Sequence, residues 1–222
     1  MQNGKEIAEL IKKGISKYYD EKYEEAIEDY DKVLELDPNN SVALFNKCNA
    51  LNELGLPKEA ITCYDKILEA GTDFFPSFLK TVKDLKIDLI FPIGATINDV
   101  YILCCKANQL EELKRYEDAV VCYDKALEFD PKNSGVLISK VNDLEHLQRF
   151  EDVIKCCDKI LEYFSGDTGA LYHKAHALED LGEYEKAIHC YDEILKIYPD
   201  SSSALYNKQV ATENINSKKS LK

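Results

Sequence analysis

Apolar residues recur along much of the chain at i, i+3, i+4 and i+7, the spacing of one helical face and not of a strand. The strings Tyr30-Asp31-Lys32-Val33-Leu34-Glu35 and Tyr191-Asp192-Glu193-Ile194-Leu195-Lys196 show it. So do Leu44-Phe45-Asn46-Lys47 and Leu171-Tyr172-His173-Lys174. A string of the second kind precedes each of the first, and a short turn such as Leu54-Gly55-Leu56-Pro57 or Leu181-Gly182-Glu183-Tyr184 joins them. Asp37-Pro38, Asp130-Pro131 and Tyr198-Pro199 close three of the pairs, because proline disfavours helix at the residue before it. The pattern predicts helical hairpins, each with a first helix, A, and a second, B.

The hairpins repeat. Ala26, Ala60, Ala119, Val153 and Ala187 mark one register, with spacings of 34, 59, 34 and 34 residues. Five units follow, at residues 7–40, 41–74, 100–133, 134–167 and 168–201, so that 7–74 and 100–201 form blocks of two and three. Residues 202–217 start a sixth unit with Leu205-Tyr206-Asn207-Lys208 and stop after one helix, which reads as a cap. The polar tail 218–222 is expected to fray. Within residues 75–99, Phe78-Leu79-Lys80-Thr81-Val82-Lys83-Asp84-Leu85 aligns with the helix A string Leu137–Leu144, but no helix B follows it. This segment reads as a truncated half-repeat with a linker.

Numbering each unit from one, position 4 is Leu10, Leu44, Leu103, Leu137 and Leu171, and position 8 is Gly14, Cys48, Ala107, Val141 and Ala175. Position 20 is the marker register above, and position 24 is Tyr30, Tyr64, Tyr123, Cys157 and Tyr191. In these registers the chain resembles tetratricopeptide repeat proteins over nearly its whole length. It departs from them in having no tryptophan and in placing Val141 and Val153 where the family keeps small residues, which predicts looser packing in the fourth unit. The resemblance implies an all-α fold, a right-handed superhelix or α-solenoid, with helix A lining an inner groove. It also implies a non-catalytic protein-interaction scaffold that binds a peptide segment of a partner in that groove.

By the same resemblance, positions 2, 5, 9, 12 and 13 face the groove. Position 9 then offers Asn49, Asn108 and Asn142, whose amides carry both donor and acceptor and so suit an extended backbone. Position 5 offers Phe45 and Tyr172, and position 12 offers Glu111, Glu145 and Glu179, a carboxylate stripe that favours a basic segment. The family's clamp for acidic chaperone tails is not reproduced, since Ile11 and Ile15 stand where it needs Lys and Asn. Lysine at position 7 and aspartate at position 25, for example Lys47 and Asp31, recur with the fold and are expected to pair between neighbouring hairpins.

The half-repeat leaves two readings open. Phe91 and Ile93 fold back and cover its apolar face, or Phe78, Val82, Phe91 and Ile93 form a hinge or self-association surface. The second makes the protein a self-associating structural module, and a homo-oligomer.

Composition narrows the partners. With 28 Lys and Arg against 41 Asp and Glu, the net charge of −13 argues against nucleic acid. No apolar run approaches the length of a membrane span and the N-terminus lacks an apolar leader core, so the expectation is a cytoplasmic protein off the membrane. None of the eight cysteines forms a C-x-x-C pair; they are expected to be reduced thiols acting as small apolar filler. His173 and His176 lie one helical turn apart, with His146 in the preceding unit, too few ligands for a closed zinc site. No nucleotide loop or nucleophile elbow occurs. No metal, no cofactor and no catalysis are expected.

Overall fold

The computed structural model describes residues 2–71, 74–85 and 99–220. Among them are twelve α-helices and no strand. Two compact units divide the chain, residues 1–118 and 119–222, so the division lies inside the seventh helix and not at residues 75–99. The first unit contains α1 (Gln2–Tyr19), α2 (Tyr23–Leu36), α3 (Ser41–Glu53), α4 (Pro57–Ala70), α5 (Phe74–Leu85) and α6 (Asp99–Glu112). The second contains most of α7 (Tyr116–Phe129), then α8 (Ser134–His146), α9 (Phe150–Tyr163), α10 (Thr168–Asp180), α11 (Tyr184–Ile197) and α12 (Ser202–Ser220).

Local chemistry sets the hairpin ends. Position 34 caps the next helix A: the side chains of Asn40, Asn133 and Asp167 accept from the amides of Ala43, Val136 and Ala170 at 3.1, 3.2 and 2.8 Å. Helix A ends the same way in all five units. Position 15 takes a left-handed conformation, at Glu21, Gly55, Lys114, Gln148 and Gly182, with φ between 55° and 73°. In the second hairpin Gly55 N–H donates to Asn52 O and Leu56 N–H to Leu51 O, the paired bonds of a Schellman turn. Gln148 and Arg149 make the same two bonds to Glu145 and Leu144.

The core follows the register. Ala26, Ala60, Ala119, Val153 and Ala187 are fully buried, and so are the position 24 residues. Gly14 shows why position 8 stays small: a Cβ there would lie 2.5 Å from the Tyr30 ring. The fourth unit is not left open by its two valines. Val141 and Val153 are completely buried together with Cys157, which replaces the tyrosine of the other units. The smaller cysteine compensates in side-chain volume for the larger valines, and all three are shielded from solvent. At the C-terminus α12 buries Ala204 and Ala211, while much of its remaining surface is exposed.

The lysine–aspartate register pairs as the sequence suggests. Lys174 and Lys208 reach Asp158 and Asp192 at 2.6 and 2.5 Å, and Lys47 and Lys140 pair with Asp31 and Asp124. Each of these pairs spans 16 residues. Lys106 reaches Asp65 at 2.5 Å across 41 residues. The stack therefore passes from α4 directly to α6, which pack together, and α5 lies outside that succession. Partly exposed pairs of this kind contribute below about 1 kcal/mol each, so they set register more than stability.

Candidate functional site

The registers expected to face a groove differ in exposure between the two units. In the second unit they are open. Ile138 is 39% exposed, Asn142 and His176 are exposed, and Tyr206 is 67% exposed. Tyr172 is half-buried, its hydroxyl 3.0 Å from Ser201 Oγ, and its ring stacks tilted against His176 at 6.3 Å. Asn207 Nδ2 lies 3.4 Å from His176 Nε2. The side chains on this surface are aromatic, aliphatic and amide groups supplied by α8, α10 and α12.

The predicted carboxylates are less free than a bare stripe. Glu145 is half-buried and holds His173 Nδ1 at 2.8 Å. Glu179 is half-buried too, and burial raises its pKa against the opposing influence of Tyr191 and His176. Glu111 and Asn108 lie on α6 in the first unit, half-buried and exposed respectively. The histidine pair is likewise engaged within the protein, and among the described residues no three His, Cys, Asp or Glu side chains gather as a metal site.

In the first unit position 5 is covered on α1 and α3, and position 9 is covered on α3. Ile11 and Phe45, both at position 5, are 0% and 1% exposed, and Asn49 at position 9 is 8% exposed. What covers Phe45 includes α5: Phe78 packs edge-on against it with ring centroids 5.4 Å apart. Phe78 and Val82 are both buried in the core cluster of this unit. They are turned inward and are not presented to a second molecule. Phe91 and Ile93 lie outside the described residues. Tyr101 of α6 also approaches Phe45, at 6.3 Å. Asn52 Nδ2 donates to the Tyr64 hydroxyl at 2.5 Å, a bond made within the hairpin. Tyr18 reaches Glu53 at 3.5 Å, and burial pushes its pKa up to about 12.

One pairing was missed from sequence. Cys48 and Cys63 form a disulfide between α3 and α4, with Cα atoms 5.6 Å apart, within the usual range. Position 8 and position 23 meet inside one hairpin, and only in the second unit are both cysteine; that coincidence was the available signal. The expectation of reduced thiols does not hold for this pair. Cys104, Cys105, Cys122, Cys156, Cys157 and Cys190 are not joined in disulfides, and the last four are buried.

The opposite, helix B side carries clefts in both units. One of about 640 Å³ is lined by Ile154, Lys174, Leu178 and Cys190, and one of about 320 Å³ by Ile27, Lys47, Leu51 and Cys63. These residues occupy the same four repeat positions, so the clefts are products of the hairpin stacking. No helix among the described residues is long and apolar enough to cross a membrane.

Two family models, both of the tetratricopeptide repeat, match the chain, one over residues 100–133 and 169–201 and the other over 18–80. Together they span more than half of it. No curated protein sequence matches it. Among solved structures, the fold is similar to the crystal structure of YrrB, a TPR protein with an unusual peptide-binding site. That chain is 20% identical with a TM-score of 0.62, over 90% of each chain. It is also similar to the crystal structure of MamA, 16% identical with a TM-score of 0.61, over 87% of this chain and 92% of that one. At these identities the likeness is one of fold.

Proposed function

We propose, from the premise that the chain belongs to the tetratricopeptide repeat family, that it is a non-catalytic scaffold holding a segment of a partner protein against its A helices. The observation that carries this is the open face of the second unit. Ile138 and Tyr206 are large side chains left exposed at one register, with Asn142 and His176 exposed beside them. Exposed aromatic and aliphatic groups next to amides suit an extended segment, which gains apolar burial while its backbone is hydrogen-bonded. The peptide-binding site of YrrB gives the reading a precedent on the same fold.

The net charge of −13 favours a segment with basic residues. Glu145 is bonded to His173 and Glu179 is half-buried with its pKa raised by burial, so apolar and amide contacts are assigned the main part and charge the steering.

Affinity capture from lysate tests this, with bound proteins identified by mass spectrometry at low and high salt. The native chain is run beside Ile138→Asp/Asn142→Ala on the open face and Glu185→Ala/Lys186→Ala on the opposite side. Loss of a partner with the first variant alone is expected. A partner retained by the first and lost by the second overturns the proposal.

A further inference from the structure

Helix α5 is an insertion that has been put to use. The Lys106–Asp65 pair closes the stack without it, so the fold does not need α5 to continue from one hairpin to the next. Instead it packs on α3, the A helix of the second hairpin, through Phe78 and Val82, four residues apart. Its Ser77, Lys80, Lys83 and Asp84 are exposed, so α5 is an amphipathic helix lying with its apolar side on the register that faces the groove.

The second unit supplies the comparison. Phe45 and Ile138 occupy the same repeat position, yet one is 1% and the other 39% exposed. Asn49 and Asn142 are also equivalent, one buried and one exposed. Without α5, Phe45 would lose the Phe78 ring that packs edge-on against it and keep only the more distant Tyr101. The cover is also imperfect. Asn49 lies one helical turn beyond Phe45 on the same face, and its buried Nδ2 has no hydrogen-bond partner among the described residues. A buried donor left unmatched penalises the closed state.

We infer that the first unit's groove around Phe45 and Asn49 is a receptor for an amphipathic helix of a partner protein, with bulky apolar residues four apart, and that α5 occupies it in cis until displaced. The partner's helix supplies what α5 lacks, an acceptor for Asn49 beside the two apolar anchors. A tethered occupant competes through its effective concentration, so only a better-matched helix gains entry. This rests on the groove reading above and assigns the partner chemistry of one unit.

The test uses the full chain and a labelled synthetic peptide of residues 74–85, followed by fluorescence anisotropy. The peptide is expected to bind Phe78→Ala/Val82→Ala at least about tenfold more tightly than the native chain, because closure lowers the competent fraction. Binding should vanish when the peptide carries both substitutions, or when Phe45→Ala is added to the chain. Equal affinity for both chains, no binding to a natively folded variant at millimolar peptide, or indifference to Phe45→Ala overturns the inference. If the variant fails to fold, hydrogen exchange of the native chain decides. Excess peptide should speed exchange in α5 and leave α4 unchanged; α5 amides indifferent to the peptide overturn it. A concentration-dependent dimer that exchanges α5 between copies overturns it as well. Failure here with partner capture still lost in Ile138→Asp/Asn142→Ala leaves the scaffold reading standing.

Discussion

Lys106 Nζ lies 2.5 Å from Asp65 Oδ1 although 41 residues separate them, whereas Lys174 and Asp158 make the same contact across 16. The difference of 25 residues is the length of the insertion that holds α5. An ion pair worth little energetically thus records the register of the stack, because both side chains keep their repeat positions wherever the hairpins adjoin.

The turn after each helix A stores removable strain. Glu21, Lys114 and Gln148 are exposed and hold positive φ where Gly55 and Gly182 do so without a Cβ penalty. Glycine at each of the three is expected to stabilise the chain by about 0.5–1 kcal/mol. Alanine at Gly55 or Gly182 should destabilise by a similar amount. Denaturant melts measure both; a loss of stability in all three glycine variants would contradict the turn assignment.

Packing in the fourth hairpin is a volume exchange. Cys157→Tyr alone should overpack against Val141 and Val153 and cost about 1–3 kcal/mol. Combining it with Val141→Ala and Val153→Ala should recover most of that. Thermal melts of the single and triple variants show whether the three sites are coupled.

The Cys48–Cys63 bridge closes a separation of 15 residues. Its reduction is expected to lower unfolding free energy by up to about 3 kcal/mol. Thiol titration of unfolded, unreduced protein should count six thiols and not eight. A count of eight would show that Cys48 and Cys63 are not bridged.

Burial raises the Glu179 pKa, so above the ordinary carboxylate range and up to that raised value the native state binds more protons than the unfolded state. Stability from this group therefore falls as pH rises through that window. Glu179→Gln should melt higher than the native chain at neutral pH and at the same temperature once the native carboxyl is protonated. Coincident melting curves at both pH values would show that Glu179 is not desolvated.

The parts legible in the sequence are those that repeat. Alanine at position 20, tyrosine at position 24 and the lysine–aspartate pairs each appear in several hairpins, and averaging over copies separates fold from accident. Features present once were not legible in the same way. The string Phe78–Leu85 reads correctly as a helix with an apolar face, but its pattern does not say which surface that face meets. Phe45 and Ile138 are indistinguishable by register, and it is packing, with Phe78 of α5 and Tyr101 of α6 against Phe45, that makes one core and the other surface. Cys48 and Cys63 meet because two helices cross, which no spacing motif encodes. Glu21, Lys114 and Gln148 adopt a glycine conformation because the hairpin demands a turn there, against their own preference.

The face of α3 is closed by α5 where the equivalent face of α8 is open, and hydroxyl-radical footprinting read by mass spectrometry measures that difference most directly. The intact chain would be compared with a chain lacking residues 75–99, whose fold is first checked by circular dichroism. Phe45 is expected to resist oxidation in the intact chain and to become reactive on deletion, while Ile138 and Tyr206 react alike in both. Oxidation of Phe45 at the same rate in the two folded chains would contradict the covering of that face by α5.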